Sequence, residues 1–493
     1  MKKETWNSKI GIILAVAGSA IGLGNFLRFP QQAAQNGGGA FLIPYFIALI
    51  FLGIPLMWVE WALGRMGGVH DAHSLPEIYQ KLLKKPFYKY LGVLGLFLPF
   101  IVFVYYTYIE SWCLAYAFFS ASGKYWGLES ASIWTFWKSY VGIEQTAFFS
   151  NILPAVLFFV ITLLINLHVL AAGISEGIEK LCKTVMPVLL VLGVIMVARV
   201  LTLPGVEKGF GFLWNPDFSA LKNPKVWLAA AGQIFFTLSL GFGVIQAYAS
   251  YLKRDEDIAL SGLTSSFVNE FAEVILGASI AIPAAVVFFG IAETKEIAST
   301  GAVSLGFNTL PVIFQKMEGG RFFGFIWFIL LFFAGLTSSV SLGQPVMAFL
   351  EKRLRLDRRQ AAVWLGVVTA IYSIPVIMFL SRGFLDEMDY WAGQFFIVAA
   401  ALIEIILFGW VIGIEKGFEE ICLGAKITVP SLFKPVIKYL SPLFIIAILG
   451  GWLVTELPKI AKAGDPVVWA SRIVMLVVLL IFAWLLKTRS GEE

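Results

Sequence analysis

Long apolar stretches recur along almost the whole chain, and they constrain its fold more than any other feature. Each is close to or above the roughly 20 residues that an α-helix needs to cross a bilayer. The runs cover 10–35, 39–64, 87–121, 150–170, 178–201, 225–250, 259–290, 322–350, 361–381, 388–413, 432–455 and 467–486. Because backbone polar groups in hydrocarbon must be satisfied within their own segment, such runs predict helices rather than open sheets. The sequence therefore predicts an all-α polytopic membrane protein with about twelve transmembrane helices.

Composition and charge agree with this class. Of the 493 residues, 59% are hydrophobic and only 14% are charged, which excludes an ordinary soluble domain and makes the lipid bilayer a partner. Lys and Arg concentrate in the connections on the side of the N-terminus, so the positive-inside rule predicts cytoplasmic termini in the cell's inner, cytoplasmic membrane. No basic surface interleaved with aromatic residues is present, so no nucleic-acid partner is expected.

The residues that usually carry catalysis are not grouped. Cys113, Cys182 and Cys422 are far apart and odd in number, which favours neither a disulfide framework nor a metal site. The acids of the apolar runs have no nucleophile–base pair beside them. An intramembrane enzyme is therefore the weakest interpretation, and no organic cofactor is expected.

Two of the apolar runs are interrupted. Gly18, Gly22 and Gly24 break the first run, and each glycine in a helix interior costs about 1 kcal/mol relative to alanine. About half a chain later, 237–243 interrupts another run with Thr, Ser and two glycines. Interruptions at corresponding positions of two halves are typical of a transporter, with its binding site at the unwound segments.

Each interrupted run opens a group of about five spans. An odd number of spans inverts the second group relative to the first, so the two groups are expected to be related by a pseudo-two-fold axis in the membrane plane. The predicted divisions are 1–201 for the first repeat, 202–224 for an external loop rich in turns, 225–413 for the inverted repeat and 414–493 for two additional helices.

Glu60 lies inside the second apolar run. One interpretation is a carboxylate near the membrane interface. The other is a brace that accepts hydrogen bonds from unwound backbone N–H groups, because an acid within a membrane span usually faces protein or water. Its apolar flanks favour the brace.

Three strings of sequence carry a resemblance to a known family. They are GSAIGLGNFLRFP at 18–30, QIFFTLSLGFG at 233–243 and FAGLTSS at 333–339. In this order they resemble the neurotransmitter:sodium symporters, the bacterial leucine transporter among them, over nearly the whole chain. The resemblance implies a 5+5 inverted repeat with discontinuous first and sixth helices. It also implies sodium-coupled import of a neutral, hydrophobic amino acid such as leucine by alternating access.

The family's functional residues fall on matching positions here. The implied substrate contacts are Ala20, Gly22, Leu23, Gly24, Val102, Tyr106, Phe236, Thr237, Ser239, Phe242, Ser338 and Leu342. The implied ligands of a first sodium ion are Ala20, Asn25, Thr237 and Asn269, and those of a second are Gly18, Ile21, Ala334, Thr337 and Ser338. All offer oxygen, which suits a hard cation. Since neither break contains Lys or Arg, the helix start near Leu23 and a sodium ion are expected to compensate the substrate carboxylate.

The resemblance also implies gates. Arg28 and Asp389 are expected to pair through water and close the outer path, and the turn 177–187 resembles the family's unwinding motif through which the inner sodium leaves. At the cytoplasmic gate the family pairs a base with an aspartate, but the chain has Lys3 and Lys352 there. Glu351 and Asp357 are alternative partners, and the other expected members of this gate are Trp6, Ser250, Tyr251 and Gln344.

Glu273 stands where chloride-dependent animal relatives carry serine, so its carboxylate is expected to replace chloride and make transport chloride-independent. Two other functions stay open: an amino-acid-gated channel or sensor on the same scaffold, and a sodium-coupled carrier of another small solute. The sequence leaves open the preferred amino acid, the number of sodium ions per cycle and whether the protein forms a homodimer.

Overall fold

The structure is a computed structural model that describes residues 4–461 and 464–487, apart from the side chains of 455, 457–459 and 461. Within those ranges the chain forms helices, turns and loops and no strand. The helical spans, first to twelfth, are Lys9–Ala20 with Gly24–Gln35, Gly38–Gly68, Tyr88–Ser122, Leu153–Ala171, Ile174–Leu201, Pro224–Thr237 with Val244–Ala249, Ile258–Ser299, Gly320–Leu354, Arg358–Met378, Phe384–Cys422, Phe433–Val454 and Pro466–Lys487.

Both interrupted runs are broken helices, as the sequence predicts. The two halves of the first span meet at an angle of 48°. The sixth span is divided into pieces of 14 and 6 residues, so neither piece is long enough to cross a bilayer alone. The described residues contain ten helices that are long and apolar enough to cross, or eleven with the bent first span. With the divided sixth span, each of the twelve predicted runs is accounted for.

The third and eighth spans form the centre of the molecule. In their most apolar windows, 89% and 83% of the residues are buried by protein, against 28% in the twelfth span and 33% in the eleventh. The breaks of the first and sixth spans lie against this centre, where backbone groups freed from a helix are shielded from lipid. The outer spans present apolar side chains to the bilayer instead.

Polar residues begin several spans. Ser8 accepts a hydrogen bond from the Gly11 N–H at 3.1 Å, and Asp257 accepts one from Leu260 at 2.9 Å. Such caps satisfy N–H groups that a helix start leaves without partners. They fix where the first and seventh spans begin, and hence the depth of the groups they carry.

One local expectation is wrong. The connection 202–224 contains a helix, Val206–Trp214, and a 3₁₀ turn, Phe218–Lys222, rather than turns alone. A side chain at Gly209 would meet Pro283 of the seventh span, so the apolar face of the helix packs on the protein and overrides the turn-rich composition. Residues 177–187 lie within the helical fifth span, which begins with the wide turn Ile174–Glu179, and their role as an unwinding motif stays a prediction. The repeat boundaries stay a prediction.

Candidate functional site

The first break exposes backbone groups to two side chains. Ile21 turns to extended backbone (φ −76°, ψ 97°) after the first half-helix. Beyond it, the Gly22 N–H donates to Asn25 Oδ1 at 2.9 Å and the Leu23 N–H donates to the Tyr106 hydroxyl at 2.9 Å. A Cβ on Gly22 would lie 2.6 Å from that hydroxyl, so only glycine fits here. The last carbonyls of the first half-helix are left without intrahelical partners.

The second break turns through left-handed backbone. Ser239, Gly241 and Gly243 have φ angles of +54°, +80° and +75°. The Ser239 hydroxyl donates to the Ser19 carbonyl at 2.9 Å and so joins the two breaks. The Gly241 N–H donates to Glu60 Oε1 at 2.7 Å. The predicted role of Glu60 as a brace for unwound backbone is confirmed.

A small buried pocket lies between the breaks. It is lined by Ser19, Ala20, Gly22, Gly24, Asn25, Val102, Tyr106, Phe236, Ser239, Phe242, Ser338 and Leu342. These include all the predicted substrate residues except Leu23 and Thr237. Leu23 reaches the pocket through its N–H, and Thr237 lies in the adjoining polar cluster. None of the lining side chains carries a charge.

A polar cluster adjoins the pocket and contains the side chains predicted for the first sodium ion. Asn25 Nδ2 lies 2.8 Å from Asn269 Oδ1, and Asn269 Nδ2 lies 3.0 Å from the Thr237 hydroxyl. The Thr237 hydroxyl in turn donates to Glu273. Wide helical turns at Gly24–Arg28 and Phe271–Gly277 carry Asn25 and Glu273, and such turns are frequent at functional sites.

Glu273 is fully buried and surrounded by donors. Tyr45 donates to its Oε2 at 2.6 Å, Thr237 donates to the same oxygen, and the Gln233 amide donates to Oε1. The arrangement is a ring of neutral donors around one carboxyl group. Tyr45 and Gln233 were missed in the sequence because they are distant along the chain and ordinary in a helix.

The residues predicted for a second sodium ion also lie together. A Cβ on Gly18 would stand 3.1 Å from Thr337 Cβ, which places the first span directly against the eighth. The Thr337 hydroxyl lies 3.2 Å from the Ala334 carbonyl, and the Ser338 hydroxyl donates to the Ser19 carbonyl at 3.1 Å. Ile21, at the helix end, is fully buried beside them.

A wider cavity of about 450 Å³ adjoins the pocket and shares Gly24, Tyr106 and Phe236 with it. Arg28 and Asp389, the predicted outer gate, both line it. The Arg28 guanidinium lies over the Phe236 ring, 4.2 Å from its centroid. Asp389 accepts hydrogen bonds at 2.8 Å from Tyr105 and from Gln394. The two charged groups therefore line the same cavity, but each contacts a different set of residues.

At the end of the molecule opposite the wider cavity, Arg358 joins the N-terminal segment to the central spans. Its guanidinium contacts Glu4 at 3.2 Å and Glu351 at 3.0 Å. It also donates to Gln344 Oε1 at 2.7 Å and to the Leu170 carbonyl at 2.7 Å. The family pattern pairs a base near the N-terminus with an acid at the end of the eighth span. Here the acid, Glu4, lies near the N-terminus and the base, Arg358, lies at the start of the ninth span.

Lys352 has a different partner from the one the family pattern provides. It donates to the backbone and carboxylate of Asp71, next to His73, whose ring stacks on Tyr251 at 4.2 Å and bonds the Ser250 hydroxyl at 2.8 Å. Partial burial opposes ionisation of Asp71, but Lys352 and His73 outweigh it and hold the pKa of its carboxyl below the usual value.

The remaining residues predicted for this gate differ in whether they join the network of Arg358. Asp357 does not join the ion pairs, because it caps the ninth span by accepting from Gln360 N–H at 2.8 Å. Trp6 donates its indole N–H to the Tyr248 carbonyl at 2.9 Å. Lys3 lies outside the described residues. Glu351 is therefore the alternative partner that the structure places in this network.

Glu179 is a further residue that sequence reasoning missed. It is buried at the start of the fifth span and accepts from the Asn7 N–H at 2.7 Å and from the Ser8 hydroxyl at 2.9 Å. Its oxygen occupies the space that a side chain on Gly11 would need. It thus ties the N-terminal end of the first span to the fifth, a contact that no local pattern reveals.

Comparison with known proteins gives consistent matches. The chain is 34% identical over 454 residues to an uncharacterized sodium-dependent transporter of Methanocaldococcus jannaschii, covering 91% of this chain and 90% of that protein. It is 27% identical over 483 residues to the sodium-dependent serotonin transporter of Drosophila melanogaster, covering 90% and 76%. The crystal structure of MhsT in complex with L-phenylalanine matches with a TM-score of 0.78 and 30% identity, covering 90% of this chain and 98% of that one.

The profile of the sodium:neurotransmitter symporter family matches residues 3–134 and 123–486. This match covers both the scaffold and the segments that carry the candidate site, including the two broken spans around the buried, uncharged pocket. The chain is a multi-pass membrane protein and a sodium-dependent transporter, and it belongs to the sodium:neurotransmitter symporter family.

Proposed function

We propose that the protein is a sodium-coupled symporter that imports a neutral, hydrophobic amino acid by alternating access. The observation that carries this proposal is the pocket between the two breaks, which is lined by polar backbone and hydroxyl groups together with apolar side chains. A zwitterion with an aliphatic or aromatic side chain has matching chemistry. In this proposal the protein lies in the cytoplasmic membrane with both termini in the cytoplasm.

The polar groups of the pocket suit the two charges of the substrate. The Leu23 N–H and the Tyr106 hydroxyl lie at the start of the second half-helix, where the helix dipole favours an anion, so the carboxylate binds there. Carbonyls at Ala20, Phe236, Thr237 and Ser239 accept hydrogen bonds from the ammonium. Backbone dipoles replace a charged side chain on each side, which avoids burying an unpaired ion when the pocket is empty.

The apolar groups of the pocket select the side chain of the substrate. Val102, Phe236, Phe242 and Leu342 line the pocket together. A charged side chain would find no partner among them and would lose its hydration. The related transporter MhsT was crystallised in complex with L-phenylalanine, which supports a hydrophobic amino acid such as leucine as the substrate here.

A first sodium ion binds between the pocket and the polar cluster. Its ligands are oxygens of Ala20, Asn25, Thr237 and Asn269 together with the substrate carboxylate. The short distances among Asn25, Thr237 and Asn269 support this set, since all three side chains converge on one point. The Glu273 carboxylate, 0% exposed beside them, supplies the negative charge that makes the site chloride-independent.

A second sodium ion binds between the first and eighth spans, with carbonyls of Gly18, Ile21 and Ala334 and the hydroxyls of Thr337 and Ser338 as ligands. The close approach of Gly18 to Thr337 supports this placement. Five neutral oxygens suit a hard monovalent cation. Two ions per substrate would then bias the cycle toward uptake.

Alternating access follows from the two ends of the site. Arg28 and Asp389 line the outer cavity and close over the pocket when the substrate is bound. Arg358, Glu4 and Glu351 close the cytoplasmic side. Each gate consists of partly exposed polar contacts, which are weak enough to open within a transport cycle.

The test is uptake by purified protein in proteoliposomes. Labelled leucine, phenylalanine, methionine and alanine are offered under an inward Na⁺ gradient, with K⁺ and Li⁺ gradients as controls. We expect saturable accumulation above the external concentration with Na⁺ alone, highest for the hydrophobic substrates. Accumulation without Na⁺ would overturn the proposal. Uptake that only equilibrates the substrate would favour an amino-acid-gated channel or sensor.

A further inference from the structure

A pair of buried acids lies behind the second break, outside the ligand sets described above. Glu60 of the second span and Glu404 of the tenth are 0% and 1% exposed. Their carboxyl groups lie within hydrogen-bonding reach of each other. The Gln246 amide of the sixth span and the Tyr79 phenol lie beside the pair. Four elements thus meet at two acids inside the protein.

The polar atoms of this group are not satisfied by their neighbours when both acids are ionised. Among the described residues, Glu60 Oε2, both carboxyl oxygens of Glu404 and both amide atoms of Gln246 have no hydrogen-bond partner. The exception is Glu60 Oε1, which accepts from the Gly241 N–H at 2.7 Å. Two adjacent carboxylates in a low-dielectric interior repel each other and cannot both hold a charge without a cation.

Among the residues that the structure describes, no base compensates the pair. Arg65, on the same helix as Glu60, is directed away to Glu420 at 2.8 Å and to backbone carbonyls. A single proton resolves the arrangement. With the proton on Glu404, its O–H donates to Glu60 Oε2, Glu60 keeps the Gly241 N–H, and the second Glu404 oxygen is free to accept from Gln246. Three of the four carboxyl oxygens then have a partner, and the fourth lies near the Gln246 amide.

We propose that Glu60 and Glu404 share one proton, and that this proton is an additional ligand of the transport cycle, bound in the closed conformation. Protonation of the pair depends on the conformation of the second break, because Gly241 donates to Glu60 and the next residue, Phe242, lines the pocket. Rearrangement of the break withdraws the Gly241 N–H and admits water to the acids. The proton is then released or exchanged, and opening becomes more favourable as the pH rises.

The shared proton is tested directly by infrared spectroscopy of reconstituted protein. Difference spectra across a pH titration report the C=O stretch of protonated carboxyl groups. We expect Glu404→Gln to remove a one-proton component, Glu60→Gln to shift the frequency of that component without removing it, and the double variant to remove no more than Glu404→Gln alone. Glu110→Gln is the matched control, because this buried acid of the third span is held separately by Asn166 at 3.2 Å and 3.3 Å. It should leave that component in place.

Two infrared results would overturn the proposal. If neither single variant changes the spectrum, the acids are both ionised. If the double variant removes twice the signal that Glu404→Gln removes, each acid carries its own proton. Glu404→Gln can still donate an N–H to Glu60, so it preserves the contact while removing the titratable group.

Transport supplies the second readout. Wild-type Na⁺-driven uptake should vary with internal pH as expected for one titrating proton, and Glu404→Gln should lose that dependence while Glu110→Gln keeps it. An unchanged pH profile in Glu404→Gln would contradict the coupling of the proton to transport. Because this inference rests on the proposed function only for coupling, absent uptake with the expected infrared result would overturn symport and leave the shared proton in place.

Discussion

Tyr106 is the residue whose hydroxyl most directly joins the pocket to the first break. It accepts the Leu23 N–H at 2.9 Å and is positioned to donate to a carboxylate. We expect Tyr106→Phe to weaken amino-acid binding by about 1–3 kcal/mol, because a buried carboxylate oxygen loses its donor. Tyr108→Phe is the control, since this buried tyrosine faces Trp112 and Phe159 instead. Equal affinities of the wild type and Tyr106→Phe in a binding assay would exclude the contact.

Substitution of Glu273 tests whether its fixed carboxylate replaces chloride. Replacing external chloride with gluconate should leave wild-type uptake unchanged. In Glu273→Ser, the donors Tyr45, Thr237 and Gln233 would face no anion, so we expect uptake to become dependent on chloride. Measuring initial rates of uptake over a chloride series distinguishes the two. Chloride-dependent wild-type uptake, or a serine variant that is active without chloride, would contradict this role.

The pocket residues followed only from the family resemblance, whereas the two breaks could be predicted at this scale, because 18–25 and 233–243 are continuous strings whose glycines and hydroxyls indicate unwound backbone. Arg358, Glu179 and Glu404 could not. Each is an ordinary charged residue near a helix end or on a helix face. Its partner lies on another span, and only the packing of the spans brings the two together.

At the scale of an element, the sixth span depends on a left-handed turn. Gly241 has φ +80°, and a Cβ there would overlap the Ile397 carbonyl oxygen. We expect Gly241→Ala to destabilise the protein by more than the roughly 1–2 kcal/mol of a left-handed residue alone. Gly232→Ala, on the same span in open helical backbone, should be neutral or stabilising by about 0.5–1 kcal/mol. Thermal unfolding in detergent compares them, and equal effects would exclude the constraint.

The ion pairs of Arg358 provide the second test of an element. Arg358→Ala removes the contacts to Glu4 and Glu351, so we expect the path on this side to open up to about fivefold more often, since a partly exposed ion pair contributes about 0.2–1 kcal/mol. Thiol labelling of Ala348→Cys, in the cavity that Glu4 and Glu351 also line, measures this in a background without native cysteines. Arg359→Ala, whose side chain is exposed, is the control. Equal labelling in both variants would contradict the gate.

The breaks themselves were predictable as elements, and the helix in 202–224 was not. Clustered glycines and hydroxyls weaken a membrane helix locally, which a sequence displays. By contrast, Val206–Trp214 is helical because its apolar face packs on the seventh span. That tertiary contact overrides a composition rich in turn residues.

For the whole molecule, the apolar runs determined the helical spans, since hydrocarbon leaves the backbone few other choices. Which spans become central does not follow from hydropathy, because buried and lipid-facing helices are similarly apolar. The third and eighth spans are central because the breaks of the first and sixth need protein rather than lipid around them. The proposed coupling of sodium to transport therefore requires that sodium and the amino acid occupy adjoining parts of a single site between these breaks.

Binding of a labelled hydrophobic amino acid at stepped Na⁺ concentrations, in wild type and in Asn269→Ala, tests that claim most directly. Because coupling between two ligands is reciprocal, wild-type affinity for the amino acid should rise with Na⁺, and affinity for Na⁺ should rise with the amino acid. Asn269→Ala should weaken both together. Amino-acid binding that is indifferent to Na⁺, or a variant that loses affinity for only one of the two, would contradict the shared site.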